Sequence, residues 1–195
     1  MAKKIQSHSS KHGSRGDFAA DRRLLLLTCM ALPIGVICAG VARLLTMMIS
    51  LFTNLFYYHS LSIEARAASY DVIGIAAIAM PAVGGLIIGL MARYGSERIR
   101  GHGIPEALEA ILFGKSIMSP KVALLKPLSS AISIGSGGPF GAEGPIIMTG
   151  GAFGSIFGQI FHLSSAERKT LLVAGASAGM AAIFATPIAA TLLAV

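Results

Sequence analysis

The chain has 195 residues, of which 54% are hydrophobic and only 13% charged, with a mean hydropathy of +0.72. A soluble domain carries about 25% charged residues, so the composition excludes a water-soluble globule and points to an integral membrane protein. The formal net charge of +7 does not form a nucleic-acid surface, because no basic patch interleaves with aromatic residues.

Residues 1–23 are polar and rich in Ser, His, Lys and Gly, and they read as a disordered basic segment. They hold six bases (Lys3, Lys4, Lys11, Arg15, Arg22 and Arg23) and two acids (Asp17 and Asp21). The other 17 charges are spread over 172 residues, and 24–195 reads as one transmembrane domain. Leu24 to Phe56 is apolar apart from Arg43. Those 33 residues make roughly 50 Å of helix, so the helix either tilts in a bilayer core of about 30 Å or runs beyond it. The run is too long for a signal-peptide core. Arg43 is costly in lipid and is expected to face protein or to snorkel. Cys29 and Cys38 read as small buried hydrophobes rather than a disulfide or metal pair.

After a polar connection over 57–71, Val72 to Ala92 forms a second span, with Pro81 and Gly84-Gly85 suited to a kink or to close helix packing. It ends in Arg93, Glu97, Arg98 and Arg100, whereas 57–71 is net acidic. Basic loops stay on the cytoplasmic side, which predicts a cytoplasmic N-terminus in a multi-pass protein of the cell or inner membrane. A glycine loop follows, Gly101-His102-Gly103-Ile104-Pro105-Glu106, with the proline and acid of a helix start and a short helix over Glu106–Phe113. Gly114 to Lys126 reads as a polar, basic connection, and a third apolar stretch begins at Pro127. That stretch leads into Gly135–Pro145, with five glycines and two prolines in eleven residues. Gly150, Gly154 and Gly158 then recur every four residues, with Gly175 and Gly179 as a further small-residue pair, which is the pattern of closely packed membrane helices.

Glu143 is the only Asp, Glu, Lys or Arg between Lys126 and Glu167. A helix-capping glutamate at a membrane-surface turn accounts for the acid alone, but leaves the glycines and prolines around it unexplained. Irregular backbone at membrane depth is tolerated only where protein or a water-filled cavity surrounds it, and helix N-termini attract anions. Two segments share one design, 101–106 and 141–145. Their helix starts, aimed at one point, would make an anion site without a fixed positive charge, as in transporters built on broken helices. Glu143 would compete with the anion for the same N–H donors and act as a gate. Enzyme readings fail. The glycine run lacks a βαβ setting, a phosphate loop ending in Gly114-Lys115-Ser116 has Glu109 where glycine is required, and no nucleophile set, metal spacing or cofactor motif is present.

These motifs resemble those of the CLC chloride channels and proton-coupled anion transporters. Gly101-His102-Gly103-Ile104-Pro105 is similar to that family's Gly-Ser-Gly-Ile-Pro motif, and Gly141-Ala142-Glu143-Gly144-Pro145 to its Gly-Lys/Arg-Glu-Gly-Pro motif. Ser136-Gly137-Gly138 matches the glycine run before the second motif. Ala174–Pro187 resembles an Ala/Gly-rich helix ending in Asn-Ala-Pro. The resemblance implies an all-α bundle with broken, re-entrant helices, the first of two inverted halves. It also implies chloride or a similar small anion as substrate, protons as a coupled partner in the transporters, a lipid surround and a homodimer. Glu143 matches the gating glutamate, and Gly141, Ala142, Gly144 and Pro145 belong to its motif. His102 stands where the family has its anion-coordinating serine. It either donates an N–H to the anion, or turns away and leaves coordination to the backbone of Gly103 and Ile104 beside Pro105, or is a loop residue with no ligand role. Ala142 replaces a Lys or Arg. The later motifs of the family would follow Val195, so the chain reads as an incomplete core. The competing reading is a truncated, non-conducting fragment or an assembly partner.

Overall fold

A computed structural model describes residues 22–69 and 74–194. Seven α-helices are present among them: α1 (Arg22–Tyr58), α2 (Met80–Tyr94), α3 (Ile104–Leu112), α4 (Pro120–Gly135), α5 (Glu143–Ile160), α6 (Ser165–Phe184) and α7 (Pro187–Ala194). No strand occurs among the described residues. The basic segment expected over 1–23 falls outside them, except that Arg22 and Arg23 already belong to α1.

The helix α1 is 37 residues long, close to 55 Å at 1.5 Å per residue. Its end is tied down by a buried asparagine. Asn54 donates to the carbonyls of Ser62 (2.7 Å) and Glu64 (2.9 Å), folding the 59–69 segment back onto the helix. Arg43 is exposed and makes no ion pair among the described residues, so it does not face the interior of this bundle. Cys38 is buried as expected, but Cys29 lies on the exposed side, because only one stripe of α1 packs against the rest of the chain.

The second span is not one helix. A 3-10 turn over Gly74–Ile78 precedes α2, and Val72 lies outside the described residues. Pro81 sits in the first turn of α2, where a proline's missing N–H costs nothing, so it starts a helix rather than kinking one. The third stretch begins seven residues earlier than Pro127. Pro120 opens α4, and Pro127 is carried inside it. That shift moves Lys126 from a supposed connection into a helix.

The core is built around α5 and α6, the most extensively packed pair. A Cβ on Gly150 would strike the backbone of Gly175, and one on Gly179 would lie 2.9 Å from the Ile146 carbonyl. The glycine ladder therefore permits backbone-to-backbone approach. Apolar clusters fill the remaining space, among them Val122, Met148 and Leu172 between α4, α5 and α6, and Leu45, Ala131 and Ile146 between α1, α4 and α5. After Phe184 the chain turns through Ala185 in the left-handed region (φ 53°). Pro187 then opens α7, so the uncharged run from Thr170 holds two helices.

The outer surface is apolar. Leu25, Leu32 and Val36 of α1 and Ile188 and Leu192 of α7 are at least two-thirds exposed. Two segments, Arg23–Tyr58 and Gly74–Tyr94, are long and apolar enough to cross a membrane. One end of the bundle gathers charge: Arg23 meets Glu167 at 3.2 Å, and Arg168 donates to the Lys115 carbonyl at 3.2 Å.

Candidate functional site

The site begins at the loop between α2 and α3. After α2, a short 3-10 turn over Glu97–Ile99 leads through Arg100 into Gly101 (φ 83°) and Gly103 (φ 108°). Both lie in the left-handed region that glycine adopts without strain. Two side chains hold this loop. The Glu106 carboxylate accepts the Gly103 N–H at 2.8 Å, closing the N-terminus of α3 on itself. From α4, Lys126 donates from Nζ to the carbonyls of Ile99 (3.0 Å) and Gly101 (2.8 Å).

Lys126 is 1% exposed and makes no ion pair among the described residues. Sequence reasoning missed it because Gly114 to Lys126 read as a polar connection ahead of the apolar stretch that begins at Pro127. The signal that could have found it is a stripe, Lys126, Ser130 and Ser133, at i, i+4 and i+7 on one helix face.

The two glycine loops come together. A Cβ on Gly103 would lie 2.8 Å from the Gly144 carbonyl carbon, and one on Gly144 would strike the backbone of His102 and come within 2.7 Å of its Nδ1. Here glycine is required by close approach, and the N-termini of α3 and α5 are thereby brought side by side. His102 is exposed, with its imidazole against the start of α5. Ile104 and Pro105 are the first two residues of α3, and the Ile104 amide is among those a helix leaves without an internal acceptor. The Gly103 amide, by contrast, is occupied by Glu106 and is not available to an anion in this arrangement.

Glu143 is the first residue of α5 rather than part of the loop. A carboxylate in the first turn needs no Pro before it, since the helix dipole already favours it there. It is exposed, and its carboxyl group lies beside Gly141. Gly144 and Pro145 follow it, buried, in the first turn of α5. Ala142 caps the helix and packs on the cluster of Leu45 and Ile146, an apolar setting for a position the resemblance associates with a cation.

A cavity of about 370 Å³ opens between these parts. The loops contribute His102, Gly141 and Pro145 to its wall, and α4 contributes Lys126, Ser130 and Ser133. The two helix starts were expected to act without a fixed positive charge; beside them, the cavity wall carries the buried Lys126 side chain. A larger cavity, about 610 Å³, lies between α3, α4 and α5 near Phe113 and Gln159; His102 lines only the smaller cavity and Glu143 lines neither.

The family model for voltage gated chloride channels matches residues 84–195. A putative chloride channel protein, ClcB-like, of Ralstonia nicotianae is 36% identical over 118 residues, which cover 58% of this chain and 28% of that protein. The voltage-gated ClC-type chloride channel ClcB of Yersinia pestis is 32% identical over 130 residues, covering 65% and 31%. An H(+)/Cl(-) exchange transporter, ClcA, of Vibrio cholerae is 36% identical over 101 residues, covering 51% and 21%. The chain thus spans less than a third of the length of these relatives.

Proposed function

Because the chain belongs to the voltage-gated chloride channel family, we propose that it contributes one half of an anion pathway gated by Glu143. The observation that carries this reading is the meeting of the His102 and Gly144 backbones beside a cavity lined by buried Lys126. Two helix N-termini and an ammonium give the cavity a positive potential, and low-dielectric walls strengthen its hold on an anion. His102, Ile104 and the first-turn amides of α5 are the candidate donors, with Gly141 and Pro145 shaping the wall. Gly103, its amide taken by Glu106, serves as a turn.

Glu143 lies in sequence between two wall residues, Gly141 and Pro145. Ionised, its carboxylate competes with a small anion for the same positive end of α5. Protonated, it loses that attraction and leaves the path open. Chloride is the substrate this reading assigns, in keeping with the names of the relatives. Both channels and a proton exchanger stand among those relatives, so proton coupling belongs to the reading as its second arm. The membrane-spanning unit sits among lipid and pairs as a homodimer, with its N-terminus in the cytoplasm.

The test is anion efflux from liposomes containing the protein that carries this chain, with valinomycin clamping potassium. Glu143→Ala is expected to abolish the pH dependence of chloride efflux, because the titrating group is gone. Unchanged pH dependence in that variant overturns the gate.

A further inference from the structure

We infer that Ser130 of α4 supplies an anion-contacting hydroxyl to this cavity and helps set which anion it accepts. The inference rests on the reading of the cavity as an anion site, and adds to it a residue that neither glycine loop contains.

Three observations carry it. First, Ser130 is 8% exposed and lines the cavity. Second, Ser129 spends its hydroxyl on the Lys126 carbonyl at 3.0 Å, whereas Ser130, like Ser133, makes no side-chain hydrogen bond among the described residues, and its hydroxyl is open to the cavity rather than sealed in protein. A buried serine in a helix ordinarily bonds back to the carbonyl one turn earlier. For Ser130 that carbonyl belongs to Lys126, and Ser129 already occupies it. Third, Ser130 stands one turn from Lys126 on the same helix face, so a halide held near the ammonium also comes within reach of the hydroxyl.

The chemistry is complementary. The Lys126 ammonium supplies charge, but two of its three N–H groups are committed to Ile99 and Gly101. A hydroxyl supplies a directional donor that turns to suit its acceptor. Open to the cavity, the Ser130 hydroxyl is a donor that an anion held there can engage. The opposite wall presents His102 in place of a hydroxyl, so the hydroxyl donor of this site comes from α4.

The experiment compares wild type, Ser130→Ala, Ser130→Thr and Glu143→Ala in the full protein, measuring apparent chloride affinity and bromide and nitrate competition by liposome efflux. Ser130→Ala is expected to weaken chloride by about tenfold or more, as for loss of a hydrogen bond to a charged partner, and to shift the nitrate-to-chloride preference. Ser130→Thr, which keeps the hydroxyl, should retain most of the affinity, and neither substitution should remove the pH dependence set by Glu143. Wild-type affinity and preference in Ser130→Ala, with pH dependence lost in Glu143→Ala, overturns the role of Ser130 and leaves the site standing. Equal losses in the Ala and Thr variants also overturn it, since packing rather than the hydroxyl would then be at work. If Glu143→Ala and Ser130→Ala both behave as wild type, the anion site itself fails, and the inference with it.

Discussion

Lys126 shows how much one side chain can decide. Its ammonium, taken fully out of water, is satisfied by two backbone carbonyls rather than by a carboxylate. It lines the cavity with the Glu106 carboxylate as an electrostatic neighbour. The same two bonds set the entry of the His102 loop, so charge and geometry are coupled in one residue. Lys126→Met should leave α4 helical but free the Ile99 and Gly101 carbonyls. Burying such groups unpaired costs about 1–3 kcal/mol each, and chloride affinity should fall together with thermal stability in detergent. Affinity equal to wild type would mean that the ammonium acts on structure alone. Glu106 is the counterpart in the same loop, holding the Gly103 amide. Between them the loop has little freedom, which suits a site that must be preorganised.

At the scale of elements, the boundaries matter more than the helices themselves. The start of α6 is a capping box: the Ser164 hydroxyl accepts from the Glu167 N–H at 3.3 Å, and Glu167 accepts from the Ser164 N–H at 2.9 Å. The Ser164 hydroxyl also donates to the Glu167 carboxylate, and this bond, with the backbone N–H next, holds that carboxyl below its ordinary pKa. A carboxylate lowered in the folded state stabilises above its unfolded pKa, and its contribution is lost as pH falls through the folded value. Ser164→Ala should therefore cost about 1 kcal/mol near neutral pH, with the gap to wild type narrowing under acid. A thermal-shift series against pH checks this, and a gap independent of pH would assign the loss to the hydroxyl's cap on the Glu167 amide alone. The α5–α6 seam was legible from the glycine spacing, since a four-residue repeat stays on one helix face. The start of α5 falls within the 141–145 segment expected to hold a helix start, whereas the start of α4 was not legible: Gly114 to Lys126 read as a connection, and Pro120 instead opens the helix.

For the whole molecule, sidedness emerges from contacts between distant segments. Arg23 reaches Glu167, and Arg168 reaches Lys115, so the starts of α1 and α6 and the α3–α4 loop share one end. Lys121 and Lys169 lie next to these segments in sequence and are exposed. Glu64 and Arg66, paired at 2.8 Å, follow the far end of α1. This gathering of positive charge extends the topology argument beyond the residues that first suggested it. A cysteine reporter at Lys169 in a cysteine-free background should be protected from a membrane-impermeant maleimide in intact cells, and one at Ser62 should react. Labelling at Lys169 from outside would invert the orientation.

The amino-acid sequence by itself determined the membrane class, the helical fold, the family resemblance and the two glycine loops, because each rests on local composition and short-range spacing. Glu143 stood out for the same reason, as a lone acid in an apolar stretch. Only the tertiary structure decided that the two loops touch, that Gly103 spends its amide on Glu106, and that a lysine and three serines of α4 line the cavity. Those facts depend on which faces of separate helices meet, and burial is a property of the partner surface rather than of the residue. Arg43 makes the same point: the apolar run predicted a charge that faces protein or snorkels, and only the packing of α1 decided that it lies outside this bundle.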